Sequence, residues 1–156
     1  MKVNRLPSLS LLRTRLRLDP KTGFLYWRER SPAEFYRRQD AATWNAKHAG
    51  KRAGAEKGRG YRTVRINGIS YHEHRIAYAL HYGKDPGRLH VDHADGPSNK
   101  PSNLSLLTNQ QNVRRRVRMN ANNTSGVHGV YWSKASGKWV ASIQTAGAKI
   151  HLGVFS

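Results

Sequence analysis

The sequence predicts an α+β protein built from short elements, on three observations. An alternating run, "YRTVRINGISYHEH" (61–74), is broken at Asn67-Gly68, the pair that favours a two-residue hairpin turn. The stretch after it carries Ile76, Ala79 and Leu80 at helical spacing and ends at Gly83. Towards the end of the chain, "GVHGVYW", "GKWVASIQ" and "KIHLGVF" are three strand-like runs, separated by turns at Ser136-Gly137 and Ala146-Gly147.

The other elements follow in order. "SLSLLRTRLRL" (8–18) reads as a helix with Leu9, Leu12 and Leu16 on one side, stopped by Asp19-Pro20. Gly23 opens a short strand of Phe24, Leu25, Tyr26 and Trp27. "DAATWNAKHAG" (40–50) reads as a second helix ending at Gly50, and "KRAGAEKGRG" (51–60) as a basic, glycine-rich loop. "LHVDHADGPSNKPSNLSLL" (89–107) gives a short strand, a turn-rich loop and another short strand. "TNQQNVRRRVR" (108–118) starts with a capping box, Thr108 with Gln111, and continues as a basic helix. The expected organisation is therefore an N-terminal helix and strand extension (1–60), a central domain (61–118), a polar linker "MNANNTS" (119–125) and a C-terminal sheet (126–156). No helical pattern follows the third strand of that sheet, and no internal repeat is found.

Charge narrows the function. The chain has 28 Lys and Arg against 9 acidic residues, a net charge of +19 over 156 residues. Such a protein is drawn to polyanions, with nucleic acid first. A membrane surface fits less well, because "SLSLLRTRLRL" is short and no apolar run is long enough to span a bilayer. Arg13, Arg15 and Arg17 interrupt any signal-peptide core, so an intracellular protein is expected. With no cysteine there is neither disulfide nor thiolate zinc site. Any metal site has to use His, Asp, Glu or Asn, which favours a hard ion held by oxygen.

The most informative stretch is "HVDHADG" (90–96). Asp92 and Asp95 flank His93, and no acidic residue follows them. A carboxylate in so basic a chain suits a divalent cation, and phosphodiester chemistry needs charge neutralised at the phosphate. A histidine beside it suits a general base for water, its ordinary pKa lying near neutrality. The competing reading is an ordinary turn, since Asp, Gly, Pro, Ser and Asn fill turns in any protein. Further polar residues weigh against the turn alone: Asn103 precedes the apolar run Leu104–Leu107, and Asn112 lies early in the helix after it.

Strand with Asp-His, loop, Asn, strand, helix with Asn: this order resembles the HNH endonuclease family and its ββα-metal fold. The matching pieces are "VDHADG" and "SNLSLLTNQQN", preceded by "HEHRIAYALHYG", over roughly residues 61–118. The resemblance implies Asp92 and Asn112 as metal ligands and His93 as general base. It implies Asn103 as the middle Asn that braces the loop and positions His93, with Asn99 as the alternative. His74-Arg75 is similar to the family's recurrent "HR", for which a structural hydrogen bond and a phosphate contact are both open. The implied cofactor is a divalent ion, Mg²⁺ with Mn²⁺ as the other candidate. The implied partner is double-stranded DNA, with Arg75, Arg114, Arg115, Arg116 and Arg118 as backbone contacts.

"SGVHGVYWSKASGKWVASIQTAGAKIHLGVF" resembles the AP2 DNA-binding domain, a three-stranded sheet that lies in the major groove with a helix behind it; here that helix is missing. Alternation puts Trp139, Ala141 and Ile143 on one face and Val140, Ser142 and Gln144 on the other. With His128, Lys149 and His151 the second face is polar and suited to DNA. The reading is a monomeric HNH endonuclease of homing or phage type, acting in the cytoplasm or nucleoid of a bacterial or phage-infected cell. It nicks DNA to leave 5′-phosphate and 3′-hydroxyl ends. The alternative is a non-catalytic nucleic-acid-binding protein on a nuclease-like scaffold.

Overall fold

The computed structural model describes residues 4–58, 60–115, 121–145 and 147–156. Arg116, Arg118, the first two residues of the expected linker and Ala146 of the last expected turn lie outside them. The chain divides into two compact units, residues 1–112 and 113–156.

The first unit starts with helix α1, Leu9–Arg15, whose N-cap is Ser8: its hydroxyl accepts from the Leu11 amide. The helix is shorter than the leucine spacing predicts. Leu16–Leu18 leave it as strand β1 and pair antiparallel with β2, Leu25–Trp27. The leucine periodicity still marks burial, because Leu12 and Leu16 are both shielded from solvent. It misses the change of backbone, which β2 induces by offering a ladder partner from beyond the turn. Between them Asp19 builds that turn, accepting from the Lys21 amide and the Thr22 hydroxyl.

Helix α2, Asp40–His48, follows. The basic glycine-rich stretch is not all loop: Ala55–Glu56 forms strand β3 and pairs with β4, Arg62–Ile66. Strand β5, Ile69–His72, completes a sheet of order β3-β4-β5. The β4–β5 turn is Asn67-Gly68, both with positive φ (49° and 81°), as a tight hairpin of this type requires. Helix α3, Glu73–Tyr82, begins at once and ends on left-handed Gly83.

α3 is the wall between two apolar clusters. Ile76 and Ala79 join Leu6, Leu12, Leu16, Leu25, Val64, Ile66 and Tyr71. Ala77 packs instead with Val91 and Leu104. Those last two belong to β6, His90–His93, and β7, Leu104–Leu107, an antiparallel pair. The N-terminal extension and the central hairpins are therefore packed on the same helix. Helix α4, Asn109–Arg114, follows β7, and its capping box is formed: the Thr108 amide donates to Gln111 Oε1 at 2.8 Å and the Gln111 amide to Thr108 Oγ1 at 3.2 Å.

The second unit holds three strands, β8 (Val130–Ser133), β9 (Lys138–Thr145) and β10 (Ala148–Phe155), with β9 in the middle. A bulge at His151–Gly153 breaks the β9–β10 register.

Candidate functional site

β6, β7 and α4 form a hairpin followed by a helix. Asp92 and His93 are the last two residues of β6, opposite Ser105 and Leu104 of β7. Val91 packs towards α3, so strand alternation turns His93 to that side and Asp92 to the other. Both are half-buried. Asn112 is half-buried on α4, its amide donating to the Thr108 carbonyl.

The loop between the strands is held from inside by Asn103. Its Nδ2 lies within donating distance of the carbonyls of Asp95 (2.7 Å), Ser98 (2.8 Å) and Gly96 (3.3 Å), while its Oδ1 accepts from the Asp95 amide at 2.7 Å. One amide side chain thus ties down residues 95–98. Asn99 instead faces the histidine, with its Oδ1 2.8 Å from His93 Nε2. Of the two asparagines left open by the sequence, Asn103 braces the loop and Asn99 touches His93.

On its far side Asn99 Nδ2 donates to Glu73 Oε2 at 3.1 Å. Glu73 is the first residue of α3 and is 0% exposed. Its carboxylate has Arg62 Nε at 3.5 Å and Arg52 Nη2 at 3.7 Å. Burial pushes its pKa up, while Arg52, Arg62, the Leu25 amide and Asn99 pull the other way and favour the carboxylate. Composition gave no reason to single out Glu73. The available signal was its place in "HEHR", an acid between two histidines where a strand becomes a helix.

The histidines of that motif also gather here. The His72 and His74 rings stack at 5.3 Å, and His74 meets His93 edge to face at 5.5 Å. Tyr61 lies 5.9 Å from both His72 and His74. His74 is pushed down to a pKa of about 3, chiefly by burial, then by His72, His93 and Arg75. It stays neutral near pH 7 and puts bulk, not charge, beside His93. Arg75 is only 6% exposed: its Nη1 donates to the Leu89 carbonyl at 2.8 Å and its Nη2 to that of Gly87 at 2.7 Å. Of the two readings for Arg75, the structural bond is the one its geometry makes here.

Residues 71–114 match the HNH endonuclease family. The matched HNH segment, under a third of the chain, runs from the end of β5 to the end of α4 and includes Asp92, His93, Asn99, Asn103 and Asn112. It points to a nuclease-type function. No curated protein and no solved structure matches the chain.

HNH nucleases use divalent metals, and the donor types here suit one: a carboxylate oxygen from Asp92 and an amide oxygen from Asn112 are ligands for a hard ion. Among the described residues no three His, Cys, Asp or Glu side chains converge on a metal position. No helix among the described residues is long and apolar enough to cross a membrane.

The second unit places the other candidates. Gln144 pairs with Lys149 and Ser142 with His151, so these four share one face of the sheet. Lys149 Nζ lies 5.1 Å from the centre of the Tyr131 ring. His128 is exposed in the turn before β8, not on a strand. Val140, on that same face by alternation, is 8% exposed; its register partners Tyr131 and Val154 flank it on both sides. Arg114 donates from Nη2 to the Gln144 carbonyl at 3.2 Å.

Proposed function

We propose that the chain is a divalent-metal-dependent DNA endonuclease that nicks one strand. The observation that carries this is the coincidence of the HNH segment with a hairpin and helix that present Asp92, His93 and Asn112. Asp92 and Asn112 would hold the ion. When bound, it neutralises a phosphate oxygen and stabilises the leaving 3′-oxygen. His93 takes the proton from the attacking water, which approaches in line with the leaving group. Asn103 keeps the 95–98 loop rigid, so that the end of β6 does not move when His93 acts. In-line displacement leaves 5′-phosphate and 3′-hydroxyl ends. One such site per chain cuts one strand.

The DNA is held by charge at the end of α4, on Arg114 and on Arg115 just after it, and by the polar face of the C-terminal sheet, where Ser142, Gln144, Lys149 and His151 sit together. That sheet is read as an AP2-like groove binder.

The experiment is conversion of supercoiled plasmid to open circle, with Mg²⁺ and with the ion removed by chelation. Nicking that requires the ion supports the proposal. Tight plasmid binding with no nicking in Mg²⁺ or Mn²⁺ makes the chain a binding protein on a nuclease scaffold.

A further inference from the structure

We propose that Glu73, acting through Asn99, is a positioning residue that fixes the tautomer of His93, with the proton on Nε2 and Nδ1 left as the basic nitrogen. The proposal rests on the reading of His93 as general base and says which of its nitrogens accepts the proton.

Polarity along the chain of hydrogen bonds leads to it. A carboxylate only accepts hydrogen bonds. Glu73 lies wholly inside, where burial raises its pKa, and two guanidiniums within ion-pair distance and the Asn99 amide oppose that rise and favour its acceptor form. The group 3.1 Å from Glu73 Oε2 must therefore be the Asn99 amide nitrogen. That choice leaves Asn99 Oδ1 towards the histidine, 2.8 Å from Nε2. An oxygen acceptor at that distance demands an N–H opposite it. A neutral imidazole carries one N–H, so Nδ1 keeps its lone pair.

The middle of the relay is fixed from outside. Gly23, with φ of 76°, lies so close that a Cβ there would overlap the Asn99 carbonyl and the Lys100 nitrogen. The turn between β1 and β2 thus runs directly against the Asn99 peptide and limits the backbone from which the side-chain amide reaches its two partners. The N-terminal extension acquires a purpose: Gly23 seats Asn99, while Arg52 neutralises Glu73 and stacks over Phe24 at 3.5 Å.

Replacing Glu73 by Gln keeps the shape and removes the polarity. A glutamine amide can accept from Asn99 Nδ2 or donate to a flipped Asn99 Oδ1. A flipped Asn99 presents N–H to His93 Nε2 and so favours the proton on Nδ1. The test uses the full chain, free of metal and DNA, with ¹⁵N-labelled histidine. Long-range ¹H–¹⁵N correlations show which ring nitrogen is protonated, with His93 assigned by its loss in His93→Gln. The expected result is a single Nε2–H form in the parent chain and a mixture with Nδ1–H in Glu73→Gln. Plasmid nicking should fall roughly twofold to tenfold, in proportion to the competent population, with DNA affinity unchanged. Asn99→Ala leaves the Glu73–arginine pairs in place, and it should also abolish the single locked form if Glu73→Gln fails to fold. An Nδ1–H ring in the parent chain overturns the proposal, as does an unchanged single tautomer in the variants. Absence of nicking by the parent chain would instead remove the general-base reading, while the spectrum would still decide the tautomer.

Discussion

In residues 1–112, Leu12, Leu25, Val64 and Ile76 are completely shielded from solvent, whereas in residues 113–156 Ile143, Ile150, Leu152, Val154 and Phe155 are each roughly half exposed. Among the described residues Val140 is the one buried hydrophobic side chain of the second unit. The difference sets what each unit can do. Chemistry needs side chains held to fractions of an ångström, and that requires a packed wall behind them. α3 is such a wall: one side fills the main cluster, the other backs β6, and its first turn carries Glu73 and His74, with His74 against His93. A three-stranded sheet with one buried valine holds its backbone by ladder bonds and leaves its side chains at the surface, which suits contact with a long polyanion.

The largest effect that can break this contrast is on catalysis. His93→Ala should bind DNA normally and lose roughly 10²–10⁴-fold in nicking rate, the usual worth of a positioned base. Ile150→Ala, half exposed on β10, should leave the rate per bound complex unchanged. Near-parental nicking by His93→Ala would show that the first unit does not carry the chemistry in the way proposed.

Stability comes next. Leu25 is 0% exposed and Ile150 is 46% exposed. Leu25→Ala should cost the first unit about 2–5 kcal/mol. Ile150→Ala should cost the second less than about 1 kcal/mol. Amide exchange at Ile76 and at Val140 reads the two units separately. Comparable losses at both would mean that the exposed sheet is packed in solution.

Much of this is legible in the sequence. Asn67-Gly68 and Gly83 announce their turn and cap because each needs a positive φ that few residues accept. Asp92, His93, Asn103 and Asn112 stand out because acids are scarce, Asn103 sits just before a strand and Asn112 lies early in the helix after it. What stays hidden depends on long-range pairing. β1 reads as helix until Leu25–Trp27 supplies its partner, and β3 reads as loop until Arg62 and Thr63 do. Glu73 and Asn99 are obscure for the same reason. The "HEHR" motif and the turn-rich loop mark their neighbourhoods, but their connection is a hydrogen bond that spans 26 positions. Arg75 carries a motif, but its bonds to the Leu89 and Gly87 carbonyls become visible only once the chain folds back on α3.

The half-buried histidine array gives the first unit a pH response that the more exposed second unit does not share. The folded-state pKa of His74 is about 3, against an ordinary value of 6.5. As pH falls, the unfolded chain takes the proton first, so the unfolded state gains. Stability is full above about pH 6.5, declines below it, and stops declining near pH 3. By pH 5 His74 alone should cost about 2 kcal/mol. His72, also depressed by burial and by Arg75, works in the same direction. His93 and Arg75 face His74 as well, and both oppose its protonation. His74→Phe should flatten the decline measured by exchange at Ile76 between pH 7 and 5, with little change at Val140. An unaltered slope in His74→Phe would place the acid sensitivity in other groups.

The smallest expected effect concerns how the second unit meets DNA, and it separates two modes of binding. Arg114 and Arg115 bring charge without base-reading geometry, and Arg114 directs one donor to the Gln144 carbonyl. That bond goes to the backbone, so Gln144→Ala leaves it in place and removes only the exposed amide beside Lys149. Removing both arginine charges should weaken binding to every duplex alike and reduce the slope of affinity against salt by about one for each phosphate no longer neutralised. Gln144→Ala should leave the salt slope unchanged and narrow the gap between a selected target and random duplex by about 1–3 kcal/mol, if the amide makes a bidentate base contact. Salt titrations on both duplexes, for both variants, give the two numbers independently. A salt slope that falls in Gln144→Ala, with discrimination intact, would mean that the sheet tracks the backbone as α4 does. Specificity would then have to be sought in the first unit, on the loop that Asn103 braces or in the N-terminal extension.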